Sequence, residues 1–145
     1  MKDSNATTNN GMTREEKDLV LQDLCARLPY GVKCQFEDNM RVTDGESSPF
    51  YDYVLSAHHL ELFMRHNNFY IKPYLRPMSS MTEEEIIEFN NIPSTKNYTI
   101  IENDLPWDVA HYKQIEWLNK KMFDYRGLIP KDLALSTDKY NPYKD

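Results

Sequence analysis

The apolar residues in the first third of the chain change from a helical to a strand-like spacing at Pro29-Tyr30-Gly31. Before this tripeptide, four apolar residues occupy the i, i+3, i+4 and i+7 positions of one helix face: Leu21, Leu24, Cys25 and Leu28. After it, three apolar residues alternate with polar ones, as in a strand with one buried face: Val32, Cys34 and Phe36. A helix followed directly by a half-buried strand predicts an α+β domain.

Helix starts are indicated at three positions. Thr13 with Glu16, and Thr82 with Glu85, have the spacing of a capping box, in which hydroxyl and carboxylate bond to the free amides of the first turn. Pro106 is typical of the first turn of a third helix. We therefore predict helices over residues 13–28, 82–92 and 105–123.

Alternating apolar residues between 32 and 75 predict a small antiparallel sheet of three to five strands. The segments 32–36 and 51–55 show the clearest alternation, and 40–42 is a candidate return strand after a turn at Asp38-Asn39. Short strands with one apolar face are also compatible with a partly closed barrel of the SH3-like kind.

Two segments of this region have an ambiguous pattern. Residues 56–66 fit a strand and a short helix almost equally well. Pro73 lies within the strand-like segment 69–75, and because proline has no amide hydrogen it predicts an edge strand or a bulge there.

The chain of 145 residues has the length of one domain. Residues 1–11 are polar and rich in Asn and Thr, which predicts a disordered N-terminal extension, and Met12 is an alternative start of translation. The patterned residues predict a single domain over 12–135. Residues 136–145 have little pattern and are expected to form a loose tail.

Composition excludes several classes of protein. Seventeen Lys and Arg against 23 Asp and Glu give a net charge of -6, which disfavours a general nucleic-acid binder or a membrane-surface protein. We expect no membrane span and no secretory signal, because no apolar run is long enough for either. Two cysteines without metal-type spacing fit a reducing compartment, so a cytoplasmic location is expected.

Three longer segments are similar to a known set of proteins: LCARLPYGVK (24–33), KPYLRPMSSMTEEE (72–85) and WLNKKMFDYRGLIPKDLAL (117–135). They resemble short uncharacterised proteins of gut Bacteroides-type bacteria, their phages and their mobile elements. The resemblance implies a bacterial or phage cytoplasm and a mobile-element setting. It implies no catalytic or binding residue.

Candidate metal ligands and nucleophiles are few. Four residues could contribute to a metal site: His58, His59, Glu61 and His66. The H-x-E pattern at 59–61 is shared with zinc deaminases, but their P-C-x-x-C is absent, so surface histidines are the favoured interpretation. Cys34 beside a histidine could act as a nucleophile, but its place on an apolar strand face indicates an inert buried thiol. We expect no metal and no cofactor.

A third candidate is an anion site where the second predicted helix begins. Arg76, Ser79 and Ser80 precede Thr82, and helix N-termini attract anions. The three glutamates at 83–85 would repel a phosphate, so capping is the favoured interpretation.

Ten tyrosines are many for this length, and tyrosine is enriched at protein interfaces. We predict a possible interaction surface at five residues, although core packing would explain many of the rings equally well: Tyr51, Tyr53, Tyr70, Tyr74 and Arg76. The sequence therefore favours a non-enzymatic protein-interaction module whose partner is another protein. The alternatives are a nucleic-acid-binding small β-barrel domain and, with less support, a metal- or cysteine-dependent enzyme.

Overall fold

A computed structural model describes residues 12–39, 48–92 and 112–144. These residues form four α-helices and four strands, in the order α1 (Arg14–Arg27), β1 (Lys33–Asp38), β2 (Phe50–Val54), α2 (Ala57–Arg65), β3 (Phe69–Leu75), α3 (Glu83–Asn90), α4 (Tyr112–Lys120) and β4 (Leu135–Ser136). The prediction of an α+β fold with a small sheet is confirmed.

The four strands form one open sheet in the order β2-β1-β3-β4. β1 pairs antiparallel with β2 and β3, and β3 pairs in parallel with the two-residue β4. The SH3-like barrel alternative is wrong, because β2 and β4 lie at opposite edges. Side chains of α1 and α2, including Val20, Leu24 and Phe63, bury the apolar face of the sheet without closure.

The local helix signals agree with the structure where residues are described. Glu16 N and Glu85 N donate to the hydroxyls of Thr13 and Thr82 at 3.0 and 3.1 Å, so both predicted capping boxes are present. The ambiguous segment 56–66 contains helix α2, which is capped by Ser56. Of the predicted helix 105–123, only 112–123 is described, and the extension 1–11 and the return strand 40–42 lie outside the described residues.

β3 is an inner strand, but β4 pairs only with Tyr74 and Leu75, so among the described residues Pro73 has no strand partner on the side away from β1 and the predicted edge is a local one. The register places Pro73 opposite Cys34, and Asn39 N donates to Asn68 O at 3.0 Å. Bonds to an antiparallel neighbour alternate along a strand, so the even residues of β3 bond to β1 and the nitrogen of Pro73 faces away from β1. The missing amide hydrogen therefore costs the β1–β3 ladder nothing.

Residues 137–144 return to the sheet and do not form the loose tail expected from their pattern. The hydroxyl of Tyr143 accepts from Lys33 N at 2.9 Å and donates to Tyr74 O at 2.9 Å. This pair of backbone groups is the next rung of the β1–β3 ladder beyond Cys34, so the phenol oxygen occupies that rung. Lys33 Nζ also donates to Pro142 O at 2.9 Å. An apolar pattern cannot reveal these contacts because they are polar.

Replacing Tyr143 by phenylalanine tests this rung. Tyr143→Phe leaves Lys33 N and Tyr74 O without their partner, so we expect the free energy of unfolding in urea to fall by about 1–2 kcal/mol. Tyr140→Phe is the matched control, because this ring is exposed and should change stability by less than about 0.5 kcal/mol. Equal effects of the two variants would contradict the proposed rung.

The buried stripe of α1 contains an ion pair. Its buried residues are Val20, Asp23, Leu24 and Arg27. Arg27 is fully buried and donates to Asp23 through Nε at 2.9 Å and Nη2 at 3.1 Å. Arg126 Nη1 donates to the same carboxylate at 2.8 Å. The carboxylate therefore lies between two guanidinium groups.

The same arginine connects α1 to the chain that follows α4. Arg27 Nη2 donates to Phe123 O at 2.6 Å, and its Nη1 lies 3.5 Å from Leu118 O and Asn119 O. The last carbonyls of a helix carry partial negative charge, which a cation stabilises. The ring of Tyr125 lies against Arg27, with 5.4 Å from guanidinium carbon to ring centroid. Arg27 thus fixes the end of α4 against α1.

Removing the carboxylate from this network should be strongly destabilising. Asp23→Ala leaves buried Arg27 without its counter-ion, and we expect a loss of about 3–5 kcal/mol in the free energy of unfolding. Glu61→Ala is the control, because Glu61 forms an exposed ion pair with Arg65 at 3.0 Å and should cost less than about 1 kcal/mol. A small effect of Asp23→Ala in the same urea titration would show that the buried pair is not needed.

Candidate protein-interaction edge

The structure separates the five residues predicted as an interaction surface. Tyr51 and Tyr53 lie opposite Phe36 and Cys34 in the register, on the sheet face whose apolar residues pack against helices. Tyr70 and Tyr74 alternate with Ile71 and therefore point to the opposite face, where both are buried. These tyrosines therefore form no common patch, and Tyr53 is the most exposed of the four.

Arg76 is occupied by an internal partner. Its Nη1 and Nη2 donate to the two carboxylate oxygens of Glu85, both at 2.7 Å, and its guanidinium carbon lies 4.1 Å from the ring centroid of Phe123. Thr82 N donates to the same carboxylate at 3.0 Å. The position considered for an external anion at the start of α3 is thus filled by the helix's own Glu85.

These bonds lower the pKa of Glu85 to about 2, mainly through the hydrogen bonds from Arg76, with a further contribution from Thr82 N and opposed by burial. A carboxyl whose pKa is lower in the folded chain than its ordinary 4.5 stabilises the fold above pH 4.5. This contribution falls as the pH drops from 4.5 towards 2.

The pH dependence can be tested with Glu85→Gln. At pH 7 we expect this variant to lose about 1–2 kcal/mol of unfolding free energy, because Arg76 keeps its charge without a carboxylate partner. The difference from the unsubstituted chain should shrink steadily between pH 4.5 and 2. Glu84→Gln, at an exposed residue of the same turn, should show neither effect. A Glu85→Gln difference that is constant with pH would contradict the assignment.

The candidate metal ligands do not converge. His59 caps α2, with Ser56 N donating to its Nδ1 at 3.1 Å, and its ring stacks on Phe36 at a centroid distance of 4.1 Å. Burial, followed by the proximity of His58, lowers the pKa of His59. Within residues 12–39, 48–92 and 112–144, no group of three or more His, Cys, Asp or Glu is placed to hold a metal ion.

Cys34 is fully buried on the apolar face of β1. Burial, followed by the proximity of Asp23, raises the pKa of its thiol above the ordinary value of 9.0. The thiolate is the reactive form of cysteine, so this thiol is unsuited to nucleophilic chemistry at neutral pH.

Strand β2 is the most exposed part of the sheet. Among the described residues it pairs with β1 on one side only. Both of its faces carry apolar side chains that are open to solvent: Phe50 is 50% exposed, Tyr53 65% and Val54 40%. An edge strand with this composition is an unusual surface, because proteins commonly protect sheet edges with charge, proline or a covering segment.

Among the residues that the structure describes, the backbone groups on the outer edge of β2 have no strand partner. Leu55 N donates to Val32 O at 2.9 Å, and Asp38 N donates to Pro49 O at 2.8 Å. These bonds flank the β1–β2 ladder and show that the odd residues of β2 bond to β1. The N–H and C=O groups of Asp52 and Val54 therefore point outward, as donors and acceptors available to a further strand.

A shallow cavity of about 250 Å³ adjoins the end of this strand. It is lined by Lys33, Asp52, Tyr53, Val54, Tyr140 and Pro142. Asp52 Oδ1 accepts from the hydroxyl of Tyr74 at 2.9 Å, and burial, together with this carboxylate, raises the pKa of that hydroxyl. We refer to β2 and this cavity as the β2 edge.

Of the exposed residues of β2, Tyr53 is among those predicted from the sequence, whereas Phe50 and Val54 are not. The available signal is the run FYDYV at 50–54, in which apolar residues fall on both faces of the strand. Apolar side chains on both faces of a strand need packing partners on both faces. An edge strand has a neighbouring strand on one side only, so its side chains have fewer such partners.

No protein-family model, curated protein sequence or solved structure matches the chain. Among the described residues, no helix combines the length and the apolar composition that crossing a bilayer requires.

Proposed function

We propose that the protein is a non-enzymatic interaction module that binds an extended segment of another protein along the β2 edge. Strand addition uses the outward backbone groups for affinity and the alternating side chains for specificity. The observation that carries the proposal is a combination on one strand: the outward backbone groups of Asp52 and Val54 have no partner among the described residues, and Phe50 and Tyr53 are exposed.

The composition of β2 supports this proposal. FYDYV contains no proline and no lysine, which are the residues that commonly block pairing at a sheet edge. Aromatic side chains supply large contact areas at protein interfaces. An exposed edge of this kind promotes aggregation unless another segment covers it. A dedicated binding partner would provide that cover.

We place this activity in the cytoplasm of a Bacteroides-type bacterium or of its phage or mobile element. The resemblance of the segments 24–33, 72–85 and 117–135 supports that setting. Both cysteines are free thiols, which is compatible with a reducing compartment.

The alternative functions have less support. A nucleic-acid-binding surface needs a positive groove, whereas the exposed strand β2 contains one acidic residue and no Lys or Arg. The open sheet also lacks the barrel on which that alternative depended. For the enzyme alternative, the described residues provide no metal cluster, and burial raises the pKa of the Cys34 thiol.

The proposal can be tested with Val54→Pro, which removes one outward amide hydrogen. The bonds of Tyr53 and Leu55 to β1 remain, and the residue before a proline favours the extended conformation already present. We expect peptides selected from a displayed library of random extended nonamers to bind the full chain and to slow hydrogen exchange at the Asp52 and Val54 amides. Val54→Pro should weaken them by at least about tenfold.

Val54→Thr is the matched control, because it keeps the amide hydrogen and a β-branched side chain and should bind as the unsubstituted chain does. Circular dichroism and urea unfolding check that both variants fold. Three outcomes would each count against strand addition. The Val54→Pro variant could bind the peptides as tightly as the unsubstituted chain, protection could be confined to amides other than those of Asp52 and Val54, or the library could yield no binders.

A further inference from the structure

We infer that the strand bound at the β2 edge carries a lysine or arginine beside Asp52, with an apolar residue two positions to either side of it. This inference rests on the proposed function and specifies the chemistry of the partner. The pattern is thus apolar-x-basic-x-apolar.

The spacing follows from the alternation of side chains along a strand. Phe50, Asp52 and Val54 point to one face, and the same-face residues of an added strand would lie beside them at the same spacing of two. Phe50 and Val54 are exposed apolar side chains, so apolar neighbours on the added strand would bury area from both. Directly opposed side chains on neighbouring strands are the pairs that contribute most to specificity in a sheet.

The charge follows from the surroundings of Asp52. One carboxylate oxygen accepts from Tyr74, and the other accepts no hydrogen bond from the described residues. Lys33, a nearby cation that lines the same cavity, donates its Nζ to Pro142 O. Asp52 forms no ion pair with any described residue, so its carboxylate at the centre of the edge has no direct counter-ion among them. Opposite charges across two strands attract, and like charges repel.

The same geometry disfavours a second copy of this chain as the occupant. In a symmetric dimer, two β2 strands would pair antiparallel across a two-fold axis. With Phe50, Asp52 and Val54 all paired, Phe50 of each copy would lie against Val54 of the other. The Asp52 residues of the two copies would then face each other at the centre. This arrangement opposes two carboxylates in the position where a different partner can supply a cation.

Peptides that differ only in the central residue test the inference. Three nonamers contain the same five-residue pattern and differ only in its central residue, which is lysine, glutamine or glutamate. Each is titrated against the full chain by fluorescence anisotropy. We expect the lysine peptide to bind about threefold or more tighter than the glutamate peptide, with glutamine between them. The order should reverse with Asp52→Lys, disappear with Asp52→Asn, and weaken at 0.5 M salt because exposed charges are screened.

The outcomes separate the inference from the proposed function. If all three peptides protect the Val54 amide with equal affinity, the basic residue is wrong and strand addition still holds. If no peptide protects that amide, strand addition itself fails. A dimer in sedimentation experiments that Val54→Pro abolishes would identify a second copy as the occupant and overturn the charge argument. Near-UV circular dichroism of both Asp52 variants confirms that the edge is intact.

Discussion

The buried guanidinium of Arg27 is the group on which the arrangement of the C-terminal third depends. A cation without solvent is tolerated only when a counter-ion and several acceptors surround it. Asp23 supplies the charge, and backbone carbonyls at 118, 119 and 123 supply acceptors. The chain after α4 therefore has to pass close to α1. Arg76 N then donates to Met122 O, and Asp124 N donates to Arg76 O, so the same stretch is attached to the end of β3.

The helix positions were predictable, whereas the buried face of α1 was only partly so, because it contains this ion pair. Capping boxes are local, since they depend on two residues three apart, and both were read correctly. The predicted apolar stripe included Cys25, which is exposed. The buried stripe includes Asp23 and Arg27, which a hydropathy pattern assigns to solvent. Each charge is costly to bury alone, and only their mutual contact makes burial possible, which no single-residue scale expresses.

The candidate site was predictable to a similar degree. Alternation shows that Tyr70 and Tyr74 share a face, but it does not show that β3 is an inner strand. Strand order is set by pairing between residues far apart in the sequence, and here it buries both rings while it leaves Tyr53 at the edge. The position of Tyr143 was equally hidden, because one hydroxyl fixes the returning chain at a ladder rung that the sequence does not mark.

Strand order also places the β2 edge on the far side of the sheet from the ionic network. Residues 122–124 attach to the chain directly after β3 and lead to β4, whereas β2 lies at the other end of the order β2-β1-β3-β4. β2 is held by its ladder with β1 and by the capped start of α2 at Ser56. An added strand would therefore meet an edge already fixed in extended form, with no buried ion pair to rearrange. Preorganisation of this kind reduces the entropy that binding must overcome, so backbone bonds from a short segment can yield measurable affinity.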